Sequence, residues 1–92
     1  PLEKIRLSSG LLFLDGSNEA ELEWARKQPG KYKWILIAGR PIDLEALENR
    51  PIYFDQAGRY IARFHIEHTP AKVTQKERVL LVEEFALRGI DQ

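Results

Sequence analysis

Residues 54–73 read Phe-Asp-Gln-Ala-Gly-Arg-Tyr-Ile-Ala-Arg-Phe-His-Ile-Glu-His-Thr-Pro-Ala-Lys-Val. The order of the strands and helices can be predicted by starting from this stretch and extending upstream and downstream. Asp55 ends a short strand over residues 52–54. Apolar residues three and four positions apart then predict a helix over residues 57–64. Thr69-Pro70 opens the following strand. The stretch therefore predicts a strand, a helix and a second strand that begins just after a proline.

Upstream, residues 11–14 form a short apolar run, which predicts a buried strand closed by an Asp-Gly turn. Asn18 is positioned as a helix N-cap, with Glu21 three residues later at the capping-box position. This helix is predicted to run to about residue 27, because Pro29-Gly30 follows. The two faces of this helix differ. Leu22 and Ala25 lie on one face, and Trp24 lies on the other.

Residues 32–38 form the most apolar stretch of the chain, and they predict a strand in the centre of a sheet that is covered on both sides. Trp34 at its start is predicted to belong to the core. Asp43 is predicted to cap the next helix, and Ile42 and Leu47 have the spacing of a hydrophobic staple. That helix is predicted to end near residues 49–50, just before a proline.

Downstream, residues 71–74 and 79–85 predict two strands, and the polar turn at residues 75–77 joins them as an antiparallel hairpin. The predicted order is β-α-β-α-β-α-β-β. It indicates an α/β fold with a central mixed sheet, in which parallel βαβ units are followed by a C-terminal antiparallel hairpin and helices cover both faces. Residues 1–10 are predicted to be a linker or the end of an upstream segment, and residues 11–92 a single domain.

Composition excludes several classes of protein. The 92 residues contain 14 lysines and arginines and 14 aspartates and glutamates, and this zero net charge argues against a general nucleic-acid binder. No apolar run approaches the length that spans a bilayer. Because the chain has no cysteine, it has no disulfide, thiol nucleophile or thiolate metal site. It begins with Pro1 and contains no methionine, so we expect it to be a piece of a longer protein.

The segment from the Asp55 strand end to the Thr69-Pro70 strand resembles the thioredoxin-like fold. That resemblance implies a cis proline at Pro70, held beside the turn that carries the dithiol in thioredoxins. The matching turn is predicted at residues 39–43, where no cysteine occurs. The resemblance therefore implies the scaffold without the redox chemistry, and we expect no cofactor and no metal.

Longer pieces narrow the resemblance. Residues 23–25, 33–39, 51–56 and 64–71 together resemble the C-terminal region of TraW, a family of pilus-assembly proteins of F-type conjugative type IV secretion systems. The resemblance implies a periplasmic, non-enzymatic assembly factor whose partner is the sister assembly protein TrbC. TrbC-type proteins share a proline-alanine strand signature and are the alternative within this class.

A binding groove is predicted between the proline loop and the turn at Gly39. The residue before the cis proline, Thr69, offers its backbone to an extended peptide in thioredoxin-like proteins, as an added strand would. His68 flanks it and Arg40 is expected opposite. Trp24 is the other candidate for a protein contact, because tryptophan is enriched at interface hot spots; its alternative role is to fill the edge of the core. The predicted protein-binding residues are Trp24, Gly39, Arg40, His68, Thr69 and Pro70.

An enzymatic alternative uses Arg40, His65 and His68 as a small hydrolase or anion-binding site, and it requires these three side chains to converge. The two histidines alone are a weak metal signal, since further ligands would have to come from distant carboxylates. Ser8, Ser9 and Ser17 do not lie in a nucleophile-elbow sequence and are better explained as turn and cap residues.

Overall fold

The computed structural model describes residues 9–87 as an α/β fold with a five-stranded mixed sheet and three helices. A 3-10 turn, Gln56–Gly58, precedes the third helix. The elements are β1 (Gly10–Asp15), α1 (Glu19–Arg26), β2 (Tyr32–Ala38), α2 (Pro41–Glu48), β3 (Ile52–Phe54), α3 (Arg59–Phe64), β4 (Ala71–Lys76) and β5 (Val79–Glu84). This confirms the predicted fold class. Most of the predicted linker and Ser8 lie outside the described residues.

The sheet order is β3-β2-β1-β4-β5. β1 is parallel to β2, β2 is parallel to β3, and β4 is antiparallel to both β1 and β5. Residues 32–38 form an interior strand that is covered on both faces, as predicted, but the middle position of the sheet belongs to β1 and not to β2. Four consecutive residues of β1, residues 11–14, are buried, whereas β2 has three consecutive buried residues, 34–36. The apolar run of β2 is longer than that of β1, so the sequence pattern favours β2 as the middle strand.

The two faces of the sheet carry separate apolar clusters. Leu12 and Leu14 pack with Trp34, with α1 and with α2 on one face. Leu11 and Phe13 pack with α3 on the other face. Because neighbouring residues of a strand point to opposite faces, the continuous apolar run of β1 supplies both clusters. Trp34 is 1% exposed, which confirms its predicted place in the core. Within residues 9–87 no helix is long and apolar enough to cross a membrane.

The ends of α1 and α2 show one correct and one wrong prediction. The Asn18 side chain accepts hydrogen bonds from the peptide N–H groups of residues 20 and 21, as an N-cap does. In α2 the N-cap is Arg40, and Asp43 lies within the first turn, where it pairs with Arg40 at 3.0 Å. The predicted staple does not form, because Ile42 and Leu47 are 79% and 71% exposed. The helix starts earlier than predicted because Pro41 is favourable in its first turn.

Two further boundaries differ from the prediction. α3 begins at Arg59, because Ala57 and Gly58 have positive φ angles of 57° and 67° and interrupt the helix. Asp55 is buried, and its carboxylate accepts hydrogen bonds from the N–H groups of Tyr60 and Ile61 at 2.8 and 3.0 Å. In the hairpin, Lys76 pairs with Val79, so the turn has two residues and β4 is longer than predicted.

Candidate functional site

The turn between β1 and α1 lies beside the proline loop, residues 65–70. β4 runs antiparallel to β1 with Ala71 opposite Phe13, so Pro70 lies near the carboxyl end of β1. The turn at residues 39–43 follows β2, and β1 separates β2 from β4 in the sheet. The residues next to the proline are therefore 15–18 and not 39–43 as predicted. The error came from placing β2 in the centre of the sheet.

The proline loop is held at both ends by hydrogen bonds. The N–H of Ile66 donates to the carbonyl of Ile61 at 2.9 Å, and the N–H of Glu67 donates to Oε2 of Glu84 at 2.8 Å. At the other end, the N–H of Phe85 donates to the carbonyl of Pro70 at 2.9 Å. The Thr69–Pro70 peptide bond is cis.

Glu21 connects α1 to both neighbouring segments. Its side chain is buried, although the residue carries a carboxylate. Oε1 accepts a hydrogen bond from the N–H of Asp15 at 2.8 Å, and Oε2 accepts one from the hydroxyl of Thr69 at 3.4 Å. Glu21 thus bonds to the end of β1 instead of to the helix N-cap that the capping-box pattern predicts. It is the side chain that links the β1–α1 turn to the proline loop.

An open groove of about 640 Å³ lies between these elements, which we call the proline-loop groove. Its lining comes from the start of α1, the proline loop and the segment after β5, and consists of Asn18, Ala20, Glu21, His68, Thr69, Pro70, Glu84, Phe85, Ala86 and Leu87. Among the residues that the structure describes, the peptide N–H and carbonyl of Thr69 have no hydrogen-bond partner. These free groups are what an added strand would bind.

The charge of the groove is mainly acidic. Glu21 and Glu84 contribute carboxylates, and among the described lining residues His68 is the only one whose side chain can carry a positive charge. The carboxylate of Glu84 also accepts a hydrogen bond from the N–H of Glu67, which restrains the Glu84 side chain. The groove therefore favours a segment that offers peptide groups and no negative charge of its own.

Trp24 packs against Phe85, which lines the proline-loop groove. Its indole ring lies 5.2 Å from the ring of Phe85, and it packs against the apolar cluster beneath α1. The ammonium of Lys72 lies 5.9 Å from the Phe85 ring on the same side. Trp24 is half-buried, so it fills the edge of the core and fixes the segment after β5. A direct contact of Trp24 with a partner stays a prediction.

Gly39 and Arg40 do not line the proline-loop groove. A Cβ atom at Gly39 would come within 3.0 Å of the backbone of Gly16, so the β2–α2 turn packs closely on the β1–α1 turn. The guanidinium of Arg40 is exposed and pairs with Asp43. The structure thus brings His68, Thr69 and Pro70 together and leaves Gly39 and Arg40 on the far side of β1.

The enzymatic alternative requires the side chains of Arg40, His65 and His68 to converge on one site. His65 is the exposed C-cap of α3, His68 lies in the groove, and Arg40 precedes α2. Of these three residues only His68 lines the groove. Within residues 9–87 no cluster of three or more histidines, aspartates or glutamates is positioned to hold a metal ion.

Sequence reasoning missed Glu21, Glu84 and Phe85 as groove residues. The spacing of Glu21 from Asn18 predicts a capping role, but no local pattern indicates that its carboxylate is buried. Glu84 and Phe85 lie opposite the start of β4, where Ala71 pairs with Glu84. The signal that could have found them is the length of the hairpin, since its register decides which residues of β5 reach the proline loop.

No protein-family model and no solved structure matches this chain. A curated protein does: the chain is 30% identical to protein TraW of Escherichia coli (strain K12) over 88 residues. The match covers 90% of this chain and 42% of TraW, so the chain spans less than half the length of that relative. The resemblance seen in the sequence is therefore confirmed, and the extent of the match is consistent with a C-terminal domain of TraW.

Proposed function

We propose that this chain is a pilus-assembly factor of a conjugative type IV secretion system and that it acts by binding a partner assembly protein. The similarity to TraW over 90% of the chain is the observation that carries this proposal. The fold supports it, because a cysteine-free scaffold can bind without exchanging electrons.

The proline-loop groove is the binding site in this proposal. It offers the free backbone groups of Thr69, and Phe85 and Leu87 provide apolar surface at its other wall. An extended partner segment would pair with Thr69 and lay its side chains on these walls. His68 lies at the same rim, while Trp24 positions Phe85. Gly39 and Arg40 have a structural role in this proposal and do not touch the segment.

The partner is a TrbC-like assembly protein, and the compartment is the periplasm. Both statements extend the family resemblance to this chain. The proposal assigns no catalytic step to the domain: the carboxylates of Glu21 and Glu84 are both engaged with backbone or hydroxyl groups of the fold. Their role is to shape the groove.

The test is a binding measurement between the full chain and the TrbC-like protein of the same conjugation system. Ala86 lines the groove and is exposed, so Ala86→Trp fills the groove without removing a hydrogen bond of the fold. We expect this variant to bind at least about tenfold more weakly, because a steric block at an interface centre costs more than about 1.4 kcal/mol.

Ala46→Trp is the matched control, because Ala46 is exposed on α2, away from the groove lining. It should bind like the unmodified chain. No binding by the unmodified chain would overturn the partner assignment. Equal binding by both tryptophan variants would instead remove the groove from the proposal and leave the partner in place.

A further inference from the structure

A second cleft lies on the face of the sheet that α3 covers. It has a volume of about 470 Å³, and it is bounded by β2, β3 and α3. Its floor consists of Leu11, Ile35 and Phe64, which are each buried. α3 has only six residues, so it covers only part of this face. Of the described residues that line this cleft, none lines the proline-loop groove.

The rim of the cleft is aromatic and basic. Tyr53 and Tyr60 are 47% and 44% exposed. Lys33 places its ammonium 5.8 Å from the centre of the Tyr53 ring, and Arg63 contributes a guanidinium from α3. No aspartate or glutamate is among the described residues that line the cleft.

We propose that this cleft binds an extended acidic segment of a protein partner, which inserts an apolar side chain and places a carboxylate beside Lys33 or Arg63. The apolar floor supplies the burial for the inserted side chain, at about 25 cal/mol per Å² of apolar surface removed from water. The two cations select a segment of negative charge. Tyrosine and arginine are also the residues that dominate binding energy at protein interfaces.

Charge distinguishes this site from the proline-loop groove. Among the residues of the 9–87 range, Glu21 and Glu84 bring carboxylates to the groove, and Lys33 and Arg63 bring cations to the cleft. One acidic segment would therefore be disfavoured in the groove and favoured in the cleft. A nucleic acid is a poorer occupant, because two cations above an apolar floor neutralise too few phosphates for tight binding.

Two peptides test the proposal on the full isotope-labelled chain by NMR titration: acetyl-Asp-Leu-Phe-Glu-amide and its neutral counterpart acetyl-Asn-Leu-Phe-Gln-amide. We expect the acidic peptide to shift the amide signals of Leu11, Ile35 and Phe64. We also expect it to bind about tenfold more tightly than the neutral peptide, because charge-assisted hydrogen bonds are about twice as strong as neutral ones. High salt should reduce this preference.

Arg63→Glu should remove the preference for the acidic peptide. Arg59→Glu is the matched control: Arg59 is exposed on the same helix and does not line the cleft, so this variant should keep the preference. Equal binding of the two peptides, shifts confined to the proline-loop groove, or no shifts at millimolar peptide would each overturn the proposal. Benzoate that binds as tightly as the acidic peptide would overturn the assignment to a protein partner.

Discussion

The hydroxyl of Thr69 donates a hydrogen bond to the buried carboxylate of Glu21, 48 residues earlier in the chain, at 3.4 Å. In a thioredoxin-like fold the proline loop lies against the turn that carries the dithiol. Here a hydroxyl and a carboxylate meet at that junction, and Glu21 also accepts the N–H of Asp15. The junction that shapes the proline-loop groove is thus made of ordinary hydrogen bonds.

Glu21→Ala should destabilise the fold by about 1 to 3 kcal/mol, because it leaves the N–H of Asp15 without its acceptor. Glu21→Gln keeps an acceptor oxygen and should cost less. Urea unfolding measures both. Because the Thr69 bond is long, a double-mutant cycle between Glu21→Ala and Thr69→Val, each of which removes the bond, should give a coupling below about 1 kcal/mol. A much larger coupling would mean that this bond, not the Asp15 bond, dominates the junction.

Asp55→Ala should destabilise the fold by about 1 to 3 kcal/mol, because its buried carboxylate accepts two N–H groups at the start of α3. Asp43→Ala provides the comparison. Asp43 is exposed and pairs only with Arg40 in the same turn, so its loss should change stability by less than about 0.5 kcal/mol. Thermal or urea unfolding separates the two cases, and similar values for both variants would contradict the capping role of Asp55.

Gly39→Ala should destabilise the fold by at least about 2 kcal/mol, because Gly39 has a φ of +100° and its Cβ would meet the backbone of Gly16 at 3.0 Å. Gly58→Ala isolates the backbone effect. Gly58 has a φ of +67° with no atom within 4 Å of its Cβ position, so the expected cost is about 1 kcal/mol. Equal losses of stability would show that the contact with Gly16 relaxes freely.

Arg26 joins α1 to α2 through Glu48, with Nη2 and Oε2 2.7 Å apart. The hydrogen bond to Glu48 raises the pKa of Arg26, while burial lowers it. Because Arg26 is about a third exposed, solvent screens much of this interaction. Replacing Glu48 by Gln should therefore cost about 0.5 to 1 kcal/mol at low salt, and less in high salt. A cost that is independent of salt would indicate that packing, and not charge, holds the two helices together.

Much of the fold could be predicted from local patterns. β2 and β3 were predicted with the observed bounds, and Asn18 caps α1 as expected. These features depend on residues close in sequence, such as a short polar side chain before a helix or an apolar run before a turn. The prediction of an Ile42–Leu47 staple is wrong, because the same spacing also occurs between two exposed residues of α2. Only tertiary packing decides whether such a pair is in contact or exposed.

The groove could be predicted only in part. The Thr69–Pro70 motif was recognised in the sequence, and the structure places it at the groove, but its neighbours were misassigned. The apolar pattern favours β2 as the central strand, and this wrongly places Gly39 and Arg40 at the groove. Glu21 and Phe85 lie there because β4 pairs with β1 and β5 brings its end to Pro70.

Residue types and short spacings are enough to predict the α/β class, the absence of thiol chemistry and the proline motif. The turn that faces the proline loop, and the side chains that line the groove and the cleft, depend instead on the arrangement of the strands in the folded chain. Strand order and register bring together residues such as Glu21 and Thr69, and these depend on the packing of both sheet faces at once, which no local pattern specifies.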